Sequence, residues 1–195
     1  MSSSNSINND ILLNEIKIWE NETNPKLIEI GLFKIYVRFE RFLYDAFVNY
    51  SIGNASKYGF CPARRLVFQD EIHFKNIFNF TEKAYLDFGL KEIMKISPSI
   101  FEPNQNPFEA SYNDTDFLKK YNQLKLIRNY LAHLSAESQE KYKTSVLGAY
   151  NIVPITIEPH EFLIRKLSDS SETYYKNYIN LLKQHSELIL RQPIS

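Results

Sequence analysis

The stretch DFLKKYNQLKLIRNYLAHLS, Asp116 to Ser135, decides how this chain is read. At about 100° of rotation per residue, Phe117, Tyr121, Leu124, Ile127, Leu131 and Leu134 recur at spacings of three and four and form one apolar stripe, the pattern of a helix with one face in a core. Asp114 or Thr115 supplies a capping oxygen at its start. His133 falls roughly opposite the stripe, Asn129 lies one turn before it on the same side, and Arg128 sits at the stripe's border. A histidine at an arbitrary position is more often a core residue with a satisfied hydrogen bond than a reactive group. Here the rotation sets His133 away from the core, so the competing bland reading is a solvated histidine on a polar face. Leu126 shares that outer side with Asn122 and Asn129, so the face is not uniformly polar and hints at a second packing surface.

Working outward, the pattern is mostly helical. A long helix is predicted from about Leu27 to Tyr50, after Pro25, with apolar residues on more than one side and Gly53-Asn54 to end it. The region Ala55 to Asp70 is broken by Gly59 and Pro62, and Leu66-Val67-Phe68 reads as a short strand or an extended loop. Glu71 to Lys95 reads as helix with a break near Asn79 to Thr81, where Thr81-Glu82-Lys83-Ala84 resembles a fresh N-cap. Ser97 to Asp114, with Pro98, Pro103, Pro107 and several Asn, is expected to be loop. Beyond Ser135 the helical pattern resumes after a kink to Tyr150, then Ile152 to Ile157 reads as extended chain whose Pro154 excludes a central strand. A last helix is expected from near Ser168–Ser171 to about Leu190. The predicted organisation is a polar N-terminal segment, 1–24, holding at most a short helix, followed by a single helical domain over 25–195 with long loops.

Composition narrows the function classes. Hydrophobic residues make up 44% and aromatics 14%, enough to drive folding of one ordinary domain. Lys plus Arg number 23 and Asp plus Glu number 23, so no global positive field exists for indiscriminate nucleic-acid binding, and any RNA contact must be local. With Cys61 alone there is no intramolecular disulfide, and no Cys/His spacing fits a structural zinc site, so no metal and no cofactor is expected. The first ten residues lack the basic and apolar regions of a secretory signal, and no apolar run reaches the ~20 residues of a spanning helix, so a soluble, cytoplasmic protein is expected.

The segment Leu126-Ile127-Arg128-Asn129-Tyr130-Leu131-Ala132-His133 resembles the signature of the HEPN superfamily: Arg, four to six residues, then His, often with Asn or Asp directly after the Arg. Together with Phe39-Glu40-Arg41-Phe42-Leu43 on the first long helix, it is most similar to the bacterial defence- and toxin-associated branch of the RiboL-PSP-HEPN type. The resemblance spans roughly Leu27 to Leu190, though only those two helices carry recognisable residues. It implies an all-helical bundle that dimerises so that Arg and His of two chains meet in one cleft and cut RNA, in the manner of a toxin or phage-defence component restrained by an antitoxin or other partner.

The residue types suit that chemistry. Cleavage without metal uses the neighbouring 2′-hydroxyl as nucleophile, so a site must move a proton and stabilise charge on phosphorus. His133 is the proton carrier, its ordinary pKa of about 6.5 lying near working pH. Arg128 is the phosphate-gripping fork. Asn129 orients His133, contacts phosphate, or is merely solvated. Glu40 is a supporting candidate that fixes the fork of Arg128, although a salt bridge with Arg41 or Lys34 explains it more simply. Tyr130 stacks on a base or packs, and packing is the safer reading among 13 Tyr. Lys125, with Lys119, Arg64 and Arg65, would supply local positive charge, and Ser135 or Ser138 would contact phosphate unless they only restart the helix. Two alternatives stand beside the nuclease: a catalytically silent HEPN module that binds RNA or protein as a scaffold, and an unrelated helical adaptor, which would leave His133 solvated and unpartnered.

Overall fold

A computed structural model describes residues 6–79, 88–152, 156–168 and 170–192. Among them are nine α-helices and no β-strand, so the all-α class read from the sequence holds. The helices are α1 (Asp10–Trp19), α2 (Pro25–Ile52), α3 (Glu71–Ile77), α4 (Leu90–Ile100), α5 (Glu109–Asn113), α6 (Thr115–His133), α7 (Ala136–Tyr142), α8 (Pro159–Leu163) and α9 (Tyr174–Leu190). A π-helical turn, Lys143–Leu147, and a 3₁₀ turn, Gly148–Tyr150, follow α7. No helix among the described residues is long and apolar enough to cross a membrane.

Local chemistry explains most boundaries. Pro25 occupies the first position of α2, where a missing N–H costs nothing, and Asn24 caps the helix by accepting from Lys26 N at 3.1 Å. At the other end Gly53 has φ +94°, and the Arg64 guanidinium lies where a Cβ would stand, 2.5 Å from it, while its Nη1 donates to Ser51 O at 2.9 Å. Arg64 thus closes the C-terminus of α2, as a cation at the negative end of a helix should. Arg65 pairs with Glu102 at 3.3 Å.

The chain separates into two compact, interleaved units, Met1–Asp10 with Phe39–Asp114 and Gln184–Ser195, and Ile11–Arg38 with Thr115–Lys183; α2 and α9 contribute residues to both. The first unit is organised around Phe47, fully buried, whose ring meets Phe74, Phe88, Phe101 and Phe108 at centroid distances of 5.3 to 6.4 Å, three of them edge-on. Buried His185 belongs to it, with Nδ1 3.0 Å from Ser111 Oγ and Nε2 3.4 Å from Asp114 Oδ2. The second unit buries Tyr36, Phe117, Tyr121, Leu124 and Ile127 together with a tyrosine-rich group, Tyr142, Phe162, Tyr174 and Tyr178. Gln123, buried among them, accepts from the hydroxyls of Tyr150 at 2.9 Å and Tyr178 at 3.1 Å.

Several expectations need correction. Ser97 to Asp114 is not all loop: α4 continues through Pro98 to Ile100, and α5 forms at Glu109. Ile93, Ser97 and Ile100 are buried at helical spacing, and that burial outweighs the hydrogen bond Pro98 removes. The break expected near Asn79 is present, since the helix from Glu71 stops at Ile77 and Asn79 is left-handed at φ +53°; the Thr81–Ala84 cap lies outside the described residues. Of the two readings left open for Leu66-Val67-Phe68, strand or loop, the loop holds, and of the three only Phe68 is buried. The final helix begins at Tyr174 instead of near Ser168–Ser171, because Thr173 caps it by accepting from Lys176 N at 3.3 Å. Of the extended stretch Ile152 to Ile157, residues 153–155 lie outside the description.

Candidate functional site

Helix α6 carries the candidate residues, and its first three turns behave as the periodicity predicts, with Phe117, Tyr121, Leu124 and Ile127 buried. The last turn does not. Leu134, read as the end of the core stripe, is 74% exposed with φ +48°. The helix stops at His133, and Leu134 N closes it by donating to Tyr130 O at 2.9 Å from a left-handed conformation, which swings the side chain outward. Leu131 is only half-buried. Tyr130 fills the core in their place: its ring stacks on Tyr142 at 5.4 Å, and its hydroxyl donates to Glu158 Oε2 at 3.0 Å and accepts from Gln139 Nε2 at 3.3 Å. Burial, then the Glu158 carboxylate, push the Tyr130 pKa up. Tyr130 is a packing residue and has no free face for an RNA base.

The outer side of α6 agrees better with the sequence. His133 is exposed, and among the described residues nothing hydrogen-bonds to its ring. Asn129 and Leu126 are half-buried beside it, one turn and two turns back. All three line a shallow open groove of about 170 Å³, whose other wall is Ser135, Glu137, Ser138 and Lys141. Arg128, half-buried, donates from Nη1 to Asn129 Oδ1 at 3.0 Å, and its Nε is buried without a hydrogen-bond partner among the described residues. Asn129 therefore orients the guanidinium of Arg128, not the ring of His133, and does so within one turn.

Ser135 and Ser138 are accounted for by the turn. Ser135 Oγ accepts from Ser138 N at 3.2 Å and Ser138 Oγ accepts from Ser135 N at 3.1 Å, a reciprocal cap that restarts the chain as α7. The hydroxyls line the groove but are spent on each other and on the backbone. Lys125 is exposed on α6 and is not among the groove's lining residues. Lys119 lies over the ring of Tyr150 at 5.9 Å. Glu40, expected to support Arg128, is half-buried on the part of α2 that belongs to the first unit; Arg64 and Arg65, beyond the end of α2, belong to that unit too, whereas every other candidate belongs to the second. The structure thus lines one groove with Asn129 and His133 and adds Glu137 and Lys141, which the sequence reading passed over although their i,i+4 spacing was visible; Arg128 is not among the lining residues and is linked to them through its bond to Asn129.

Among the described residues no three His, Cys, Asp or Glu side chains converge as metal ligands. No family model matches the chain, and neither a curated protein nor a solved structure matches it.

Proposed function

We propose that this chain is a metal-independent endoribonuclease of HEPN type, acting in the reducing cytoplasm as a toxin or phage-defence component. Its cutting site is composite and lies at a homodimer interface. The observation that carries the reading is a groove lined by a histidine with an unspent ring and by an asparagine one turn away, whose side chain holds the fork of the neighbouring Arg128 just outside that lining. At about 170 Å³ the groove of a single chain is below the roughly 300–1,000 Å³ of ordinary ligand sites. A second copy would enlarge it and supply a second histidine.

In the proposed reaction the 2′-hydroxyl oxygen of the RNA bonds to the adjacent phosphorus as His133 takes its proton. The P–O5′ bond breaks, and His133 of the partner subunit donates a proton to the departing 5′-oxygen. Arg128 stabilises the charge that builds on the non-bridging oxygens. The products are a 2′,3′-cyclic phosphate and a 5′-hydroxyl. One histidine cannot be base and acid in the same step, so dimerisation is part of the mechanism. The test is end-group analysis of RNA exposed to purified protein with excess chelator. Cyclic phosphate ends are expected, and cleavage that stops with chelator and returns with magnesium would refute the mechanism.

The exposure of His133 in one chain, with no hydrogen-bond partner among the described residues, also favours a second reading, an adaptor whose motif is coincidental. That reading expects no cleavage under any condition and no convergence of two copies of His133.

A further inference from the structure

We propose that Lys141 is a phosphate-binding residue of the α6–α7 groove, held in readiness by Glu137 and released when a phosphodiester oxygen of RNA displaces that carboxylate. The inference rests on reading the groove as an RNA site, and it names a contact on a helix that carries none of the motif. Lys141 supplies the cation among the seven residues lining the groove, which also include His133 and Asn129. Its Nζ is bound to Glu137 Oε1, one helical turn back along α7. The hydrogen bond from Lys141, then its charge, hold the Glu137 carboxyl below the usual carboxylate range.

Both members of the pair are largely exposed, at 58% and 77% of their side-chain surface. An exposed i,i+4 pair in water contributes little, because solvent screens it and both side chains lose rotamer freedom to form it. A phosphodiester seated in the groove against Asn129 and His133 would offer Lys141 a better acceptor at little cost. Glu137 then serves two ends. It keeps the ammonium turned along the groove in the free protein, and it repels anions that lack enough contacts to displace it.

The test measures binding separately from cutting. The intact protein is titrated with a fluorescent 2′-O-methyl oligouridylate, which cannot be cleaved through its own 2′-oxygen, over a range of salt concentrations. Lys141→Gln is expected to weaken binding and to flatten the plot of log affinity against log salt by about 0.7, the loss of one phosphate contact on a single strand. Lys141→Arg should restore most of both, and Glu137→Gln should tighten binding at low salt. On cleavable RNA, Lys141→Gln should raise KM with little change in kcat. Unchanged affinity and slope in Lys141→Gln, with cutting intact, overturn this inference and leave the nuclease reading standing. Lys141-dependent binding by a wild-type protein that never cuts RNA does the reverse. Absence of any binding to the oligouridylate overturns the inference as well.

Discussion

Replacing His133 by Ala removes a group that is exposed at the end of α6 and makes no hydrogen bond among the described residues. Its expected effect on stability is therefore within about ±0.5 kcal/mol, whereas cleavage should fall by roughly 10²–10⁴-fold through loss of proton transfer. A His133→Ala protein that melts normally yet keeps full cleavage would return this histidine to the surface. Tyr130→Phe should behave in the opposite way: it deletes the hydroxyl between Glu158 and Gln139, and a part-buried hydrogen bond of this kind contributes about 1 kcal/mol. Denaturant unfolding should show that loss with RNA cleavage unchanged. The difference between these neighbours was only partly legible. The rotation of α6 placed His133 correctly, but whether Tyr130 or Leu134 closed the core depended on where the helix stopped.

The element that decides this is the α6–α7 junction, where Leu134 and Ser135 turn the chain in two residues. Leu134 is left-handed and 74% exposed, so glycine there gives up almost no packing. Leaving the left-handed penalty of about 1–2 kcal/mol and accepting about 0.4–1 kcal/mol of extra unfolded-chain entropy, Leu134→Gly should stabilise the protein, by roughly 0.5–1 kcal/mol. Thermal melts check this, and a clear destabilisation would mean that Leu134 packs against a second copy. Ser135→Ala removes one half of the reciprocal cap and should cost about 1 kcal/mol. Caps and kinks were visible in the sequence as residue types. Their exact positions were not, because burial of Ile93 and Ile100 carried α4 past Pro98, and Thr173 took the cap that Ser168–Ser171 also offered.

For the whole molecule, pH supplies a test with a definite sign. Burial lowers the His185 pKa, and the Asp114 carboxylate only partly offsets it. A folded pKa below the unfolded one means that the unfolded chain binds protons more readily. The contribution of His185 is thus fully present above about pH 6.5 and is lost as pH falls below it. The tyrosines run the other way: burial raises Tyr178 well above its ordinary value and also raises Tyr174 and Tyr130. Their contribution is present below about pH 10 and is lost as pH rises beyond it. Stability against urea should therefore be flat between these limits and fall on both sides. A His185→Gln variant should lose the acid arm that begins near neutrality, and persistence of that arm would assign it to other groups. Association is the second whole-molecule expectation. Sedimentation at micromolar concentration should give a dimer, and a monomer at all concentrations would count against a composite site.

What the residues determined alone was periodicity, punctuation and solvation preference: an all-helical chain, a long helix bounded by Pro25 and Gly53, and a motif helix with His133 on its outer face. These are local, set by neighbours within a turn or two. The tertiary structure decided what depends on partners distant in sequence. It put Tyr130 against Tyr142 and Glu158, spent the serine hydroxyls on each other, closed α2 with Arg64, and lined the groove of His133 with Glu137 and Lys141 from the next helix. A side chain's period fixes which way it points, but only the packed chain fixes what it meets.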